Sequence, residues 1–542
     1  MSRGRVVAAP AGERTLVRSG ASDGAAAPIV VSNRLPYDLG ASPTSARRNV
    51  GGLVNALEPI FAARPGGLWI GWDGRTLPNA RSVEQALRQA RAMSLPSGVT
   101  LCGVPLSERD IARYYNGLCN RALWPVLHDF PGRGVFDGDD WERYVRVNRR
   151  FADVVLARAK PSDRIWVHDY QLMLVPRFLR DGGFAGRIDF FLHTPFPPPE
   201  IFRVLPWRRE ILEGVLASDA VAFHTPRYRD NFVDSAETLI GAAPSRGVAP
   251  DRVDLIVGTA RVHAAAIPIG IDVEGFQSLA RSPAVQARAR RIRAAHGDRS
   301  IVFGAERLDY TKGIVERLLA VERLLRAHPS LSESFAVVQV VVPSRHAVEE
   351  YRRMKRDIDR EVGRINGELG VDGWEPIHYR YRALDRGELV AHYLAASVAL
   401  VTPLRDGMNL VASEFVASRV DEGGVLVLSE FAGVSDILDG AVRVNPNDSQ
   451  ALAAAIHAAL LMPVRERTAR MRRLRPAVLA NPATAWAARC LAVGTRPLGR
   501  LAAVPARGAG GPRNATGGPH PPRSASRPRW PAPRGDPGRR AP

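Results

Sequence analysis

At 542 residues and 45% hydrophobic content the chain is long enough for two or three packed domains, and no apolar run approaches the length of a membrane span. Three cysteines, Cys102, Cys119 and Cys490, are too few and too scattered for a disulfide framework or a zinc site, and they fit a reducing, cytoplasmic setting. The formal charge of +20 would ordinarily point to nucleic acid, but ten Arg against one Asp from Arg496 onward put +9 of it in one tail.

Residues 1–27 lack the apolar core of a secretory signal and read as a disordered extension. From Pro28 strands alternate with helices. Ile29–Ser32, Leu68–Trp72, Ile165–His168, Asp189–His193 and Ala220–His224 are short apolar or β-branched runs ending in polar or small residues, which predicts strands. Between them Ser107–His128, Trp141–Lys160 and Tyr170–Asp181 carry apolar residues at helical spacing. After a linker at Ile267–Asp272 the pattern restarts. Strands are predicted at Ile301–Gly304, Phe335–Val342, Ile377–Tyr381, Val398–Thr402, Gly424–Leu428 and Ala441–Val444. The fold class is therefore α/β: two Rossmann-like, doubly wound parallel-sheet domains, 28–268 and 269–480, facing a central cleft lined by the carboxyl ends of their strands. Residues 481–495 are expected to form a helix returning to the first domain, and 496–542, rich in Arg, Pro and Gly, to be disordered.

Chemistry-bearing residues recur at the predicted strand ends. The stretch VALVTPLRDGMNLVASEF, Val398–Phe415, reads as a buried strand, a turn holding Asp406 and Gly407, and a helix on which Leu410 and Val411 are apolar and Glu414 sits one turn in. Amides at that helix start favour an anion, and the carboxylates can accept sugar hydroxyls. Alone, the stretch reads rather as an ordinary strand-turn-helix with solvated acids. Gly51 and Gly52 offer unshielded amides after the first strand, or simply a turn, and Arg34 is a phosphate partner or a surface cation. Asp169 and His193 follow successive strands, as ligand contacts or as hydrogen-bonded core. GAERLDYTKG, Gly304–Gly313, brings Arg307 and Lys312 to one strand end, where a guanidinium fork and an ammonium suit a departing diphosphate. Pairing with Glu306 and Asp309 is the plainer account, and Arg345 after a further strand shifts the balance toward phosphate. Tyr114, Tyr115 and Trp124 share one helical stretch as core or as the wall of a sugar site. There is no Ser-His-Asp arrangement, no close metal-ligand cluster and no Walker loop, so no metal or other cofactor is expected.

Taken in order, VSNR, GGL, GLWIGW, YYNGLCN with ALWP, WVHDY, FFLHTPFP, ERLDYTKG, VPSR, GRING, TPLRDGMNLVASEF and VLVLSEFAG resemble the trehalose-6-phosphate synthase family of retaining, nucleotide-sugar-dependent glycosyltransferases over roughly residues 29–490. The resemblance implies a GT-B fold, which agrees with the two-halved architecture. It also implies that Arg34, Trp72, Tyr115, Trp124, Asp169 and Arg345 bind the acceptor glucose 6-phosphate. On the donor side Gly51, Gly52, Arg307 and Lys312 would hold the diphosphate, Asp406 the transferred glucose, and Leu410, Val411 and Glu414 the nucleotide, with His193 beside the transferred sugar. The implied partners are UDP-glucose, or another nucleotide-glucose, and glucose 6-phosphate. A homo-oligomer is compatible with this reading, and nucleic acid enters only through weak contact with the tail. Gln171 stands where the family usually has His, and Arg47, Arg48 and Asn49 precede Gly51 where smaller residues are common. The rival readings are glucosylglycerol-phosphate synthase, a pseudo-glycosyltransferase, and a silent sugar-phosphate sensor.

Overall fold

The computed structural model describes residues 28–38, 47–48, 57, 67–89, 93–94, 99–249, 252–345 and 348–494. In the first half the main strands are β1 (Ile29–Arg34), β2 (Leu68–Trp72), β3 (Met93–Ser94), β4 (Thr100–Gly103) and β5 (Arg164–His168). They are followed by β6 (Arg187–Phe191), β7 (Ala220–Phe223), β8 (Ala243–Ala249), β9 (Arg252–Val257) and β10 (Ala260–Ala266). All ten belong to one sheet in the order β8-β9-β10-β7-β6-β5-β1-β2-β4-β3. The central run from β4 to β10 is parallel throughout, while β3, β8 and β9 pair antiparallel at the two edges.

The second half holds β11 (Ser300–Arg307), β12 (Phe335–Val342), β13 (Ile377–Tyr381), β14 (Val398–Val401), β15 (Val425–Ser429) and β16 (Val442–Val444). Their order is β13-β12-β11-β14-β15-β16, and every pairing is parallel. Strands such as VALV and VLVLS are buried along their whole length, as expected where helices cover both faces. Within each half the chain winds one way from its first strand and then the other. The winding reverses between β1 and β5 and again between β11 and β14. Loops leaving the carboxyl ends of those strand pairs diverge to opposite faces and open a crevice, where ligands of such sheets bind.

The chain crosses between halves at residues 267–272 and again near Pro482, which forms a parallel bridge with Ile271. The helix Ala483–Ala492 then lies against the first sheet. Its Trp486 is fully buried, with ring centroids 5.3 Å from Trp166 of β5 and 5.1 Å from Phe191 of β6. No helix among the described residues is long and apolar enough to cross a membrane.

Two local details differ from the pattern read in the sequence. The stretch after Ser107 is helical, but Ile111–Leu123 is wound as a π-helix between short α-helical turns. Wide turns of this kind are uncommon and concentrate at functional sites. It is held against the helix Gly138–Leu156 by Arg113 to Asp140 at 3.0 Å and by Arg143 and Arg150 to Asp110 at 3.1 and 2.8 Å. In addition, β6 ends at Phe191, which leaves His193 in the loop beyond the strand rather than within it.

Candidate active site

The crevice of the second sheet is built from the loops after β11 and β14. The first passes through Asp309 into a 3-10 turn, Tyr310–Lys312, and on to the helix Ile314–Ala327. Gly313 joins the two at φ +64°, and a Cβ there would lie 2.4 Å from the carbonyl oxygen of Thr402. Only glycine lets this turn sit against the end of β14. The approach brings Lys312 Nζ to 2.8 Å from Asp406 Oδ2, which also accepts from Asn409 Nδ2 at 2.9 Å. Asn409, at φ +67°, is the turn residue before the helix Leu410–Ser418. Beneath them Arg317 is buried and bonded to Glu306, to Gln339 Oε1 at 2.8 Å and to Thr402 Oγ1 at 3.0 Å, so the loop floor is itself rigid. Glu414 accepts from Tyr393 OH at 3.1 Å, and burial raises its carboxyl above the ordinary range. Leu410 and Val411 are half-buried on the first turn of the same helix.

The crevice of the first sheet is built from the ends of β1 and β5. Arg34 is in register with Trp72 of β2, and its guanidinium carbon lies 5.0 Å from the indole centroid. Asn33 accepts from Tyr114 OH at 2.7 Å, which anchors the π-helix beside the site, and the half-buried Tyr115 is its next residue. Asp169 follows β5 at φ +75° and accepts the backbone N–H of His193 at 3.2 Å. Burial pushes its carboxyl up to about 6, against the pull of those backbone donors and of Arg307 and Arg345. His193 Nε2 lies 3.1 Å from His168 Nδ1, in a cluster of rings with His224 and Trp486. Burial holds the His193 imidazole neutral, with its pKa well below the ordinary value.

The two crevices face one another and interlock. Asp309, fully buried, accepts Trp124 Nε1 at 3.3 Å and Arg345 Nη1 at 3.2 Å. Arg345 lies 4.1 Å over the Trp124 ring and donates to Tyr170 OH at 3.3 Å. Arg307 is exposed, with its guanidinium carbon 5.8 Å from the same indole. Burial, the largest single influence on Asp309, opposes its ionisation, but the charges of Arg345, Lys312 and Arg307 outweigh it and hold the carboxyl at about 2. On the other flank Tyr228 OH donates to the carbonyl of Asp406 at 3.0 Å, and Arg405 lies 2.8 Å from Asp129. Of the six non-glycine residues with positive φ among the described residues, Asp129, Asp169, Arg345 and Asn409 line this junction. Backbone strain of that kind gathers at functional sites.

The family model of glycosyltransferase family 20 matches residues 26–493, which takes in both crevices. The chain belongs to glycosyltransferase family 20. It is 45% identical to a trehalose-6-phosphate synthase of Mycolicibacterium smegmatis over 466 residues, 85% of this chain and 90% of that one. It is 43% identical to a bifunctional trehalose-6-phosphate synthase/phosphatase of Thermoproteus tenax over 469 residues, but spans only 62% of that longer protein. Among solved structures it is similar to a UDP-forming alpha,alpha-trehalose-phosphate synthase from Burkholderia xenovorans in complex with glucose-6-phosphate, at 33% identity and a TM-score of 0.79, covering 86% of this chain and 99% of that one. A trehalose-6-phosphate protein from E. coli bound with UDP-2-fluoro glucose matches at 34% identity and a TM-score of 0.76, over 85% and 97% of the two chains. The family 20 chain is thus a glycosyltransferase with the GT-B fold.

Of the residues singled out from its sequence, Trp124, Asp169, His193, Arg307, Lys312, Arg345 and Asp406 come together at the junction. Arg34 and Trp72 meet at the carboxyl ends of β1 and β2. Tyr115 stands within electrostatic range of Arg345, and Glu414 accepts from Tyr393 of the helix Arg386–Ala395. Gly51 and Gly52 lie outside the described residues. Sequence reasoning passed over Tyr170, Tyr351, Asp129 and His128, and read Asp309 only as a surface partner for cations. His128 is instructive: its Nδ1 is 2.8 Å from the carbonyl of Trp124, which can only accept, so Nδ1 carries the proton and the buried Nε2 is a bare acceptor. Burial, reinforced by the charge of Lys312, lowers this imidazole to about 3. Its signal in the sequence was its place one helical turn after Trp124.

Proposed function

We propose that this glycosyltransferase is an α,α-trehalose-6-phosphate synthase that moves glucose from a nucleotide-glucose, UDP-glucose foremost, to glucose 6-phosphate with retention of configuration. The observation that carries the reading is the junction itself: a cationic loop, Arg307 and Lys312, at the switch point of the second sheet, with Arg345 beside it on the loop after β12, meets Trp124 and Asp169 of the first half. In this reading Arg307 and Lys312 stabilise the diphosphate, most strongly as its bond to the sugar C1 breaks and negative charge collects on the leaving oxygen. Asp406 keeps Lys312 in place before the donor arrives and afterwards accepts hydroxyls of the transferred glucose. Arg34 and Arg345 hold the acceptor phosphate, while Trp72 and Trp124 wall the sugar. The acceptor C1 hydroxyl attacks from the face the diphosphate leaves, and its proton passes to the departing phosphate oxygen. The neutral His193 beside that point offers a hydrogen bond without a competing charge.

We place the reaction in the cytoplasm, which the three buried, unpaired cysteines support. The test is mass-spectrometric assay of the purified chain with glucose 6-phosphate and, separately, UDP-, GDP- and ADP-glucose, with glycerol 3-phosphate as competing acceptor. Trehalose 6-phosphate from UDP-glucose is the expected product. A product from glycerol 3-phosphate alone would reassign the acceptor, and no product from folded protein would overturn the enzymatic reading.

A further inference from the structure

We propose that Asp309 is a positioning residue for the acceptor site, holding Arg345 of its own half and Trp124 of the other from the turn that also carries the donor cation Lys312. The proposal rests on the reading of this cleft as a sugar-transfer site. Asp309 lies between Arg307 and Lys312 in sequence, and its carboxylate is divided between two tasks. Oδ1 accepts the N–H and hydroxyl of Thr311 at 3.1 and 3.0 Å, which shapes the turn carrying Lys312, and also the indole N–H of Trp124 at 3.3 Å. Oδ2 accepts Arg345 Nη1 at 3.2 Å and the hydroxyl of Tyr351 at 3.4 Å. Tyr351 also bonds Arg345 directly.

A buried ion pair serving stability alone would need only one of these arrangements. Here a single fully buried carboxylate fixes a donor-side turn, an acceptor-side cation and the acceptor-side indole at once. Arg345 is held in a strained backbone, φ +49°, and its Nε has no hydrogen-bond partner among the described residues although the side chain is 4% exposed. A guanidinium clamped through Nη1 and Nη2 with Nε left over is a donor kept for an anion. Loss of the charge at Asp309 therefore loosens Arg345, while the turn of Lys312 keeps the bonds made to the remaining oxygen.

The experiment is steady-state kinetics of Asp309→Asn with each substrate varied in turn, beside the wild type. Asparagine keeps an oxygen for Thr311 and Trp124 but withdraws the charge from Arg345. The KM for glucose 6-phosphate is expected to rise about tenfold or more while the donor KM stays within about twofold. In an Arg345→Ala background the same substitution is expected to add less than about twofold, because the partner it acts through is gone. Tyr351→Phe removes one hydroxyl from a well-packed ring and serves if Asp309→Asn does not fold. It is expected to raise the acceptor KM about threefold with the donor KM unmoved. Equal rises in both KM values, an unmoved acceptor KM, or full additivity with Arg345→Ala would each overturn the proposal. Failure of the wild type to form the disaccharide phosphate would instead overturn the functional reading, so the two failures are told apart.

Discussion

At the scale of single residues the cleft contains two carboxylates pushed in opposite directions. Asp309 is surrounded by cations and ionises more readily than a free side chain, whereas Asp169, half-buried with its cations farther off, is held at about 6. The consequences for stability have opposite signs. Asp309 contributes stability that is present above the ordinary aspartate range and lost as pH falls toward about 2. Asp169 binds its proton more tightly folded than unfolded, so it costs stability once pH exceeds about 6, and the cost fades as pH falls toward the unfolded value near 4. Asp169→Asn keeps an oxygen for the His193 N–H and removes the charge. Its thermal midpoint is expected to lie above that of the wild type at pH 7.5, by a gain on the order of 2 kcal/mol, and to converge with it near pH 4.5. Transfer to glucose 6-phosphate is expected to be lost in the same variant, the trade of stability against activity usual at strained sites. An equal midpoint at pH 7.5 would show that this carboxyl is not desolvated.

At the scale of elements, function depends on how loops leave the strands, and the turn after β11 is the clearest case. Gly313 combines a positive φ with a contact that no side chain can share, since its neighbour is the Thr402 backbone. Gly313→Ala is expected to destabilise the fold by about 1–3 kcal/mol, read as a lower urea midpoint at unchanged slope, and to weaken donor binding because Lys312 is the preceding residue. An unaltered midpoint would mean the turn re-forms elsewhere. The central strands are legible in the sequence because runs such as FAVVQVVV are apolar along their whole length, as strands covered on both faces must be. The edge hairpin β8–β9 is not. Its strand β9 interleaves Arg252 and Asp254 with Val253 and Leu255, and its partner β8 carries Pro244, Ser245 and Gly247, so the pair looks like a polar loop. At the site the same division holds. Arg307, Lys312 and Asp406 stand out because each follows a strand, whereas Asp129, Tyr170 and Tyr351 gain their meaning from partners on other elements, which spacing along one element does not encode.

At the scale of the whole molecule the contacts between the halves around the site are mostly polar among the described residues. Trp124 reaches Asp309, Tyr228 reaches the Asp406 carbonyl, Arg405 meets Asp129, Arg133 meets Glu350, and the Phe130 and Tyr310 rings meet edge to face at 5.7 Å. Interfaces of this kind between domains permit relative motion. A close approach is at Gly407, where a Cβ would lie 2.3 Å from the carbonyl oxygen of His193, a residue of the proposed transfer site. That contact joins one half to the other and belongs to the core of neither. A methyl group there cannot be absorbed by a rotamer change, because the neighbour is backbone, so the halves must stay apart by a substantial fraction of an ångström. Gly407→Ala is therefore expected to fold with an unfolding temperature within about 3 °C of the wild type, since each sheet keeps its packing. Its kcat is expected to fall about 100-fold, because in the proposed mechanism Asp406 and His193 would no longer meet the sugar at the distance the reaction needs. Full turnover in the variant would show that the halves do not come this close when sugar is transferred, whereas a large loss of stability would move Gly407 from the closing contact to the core.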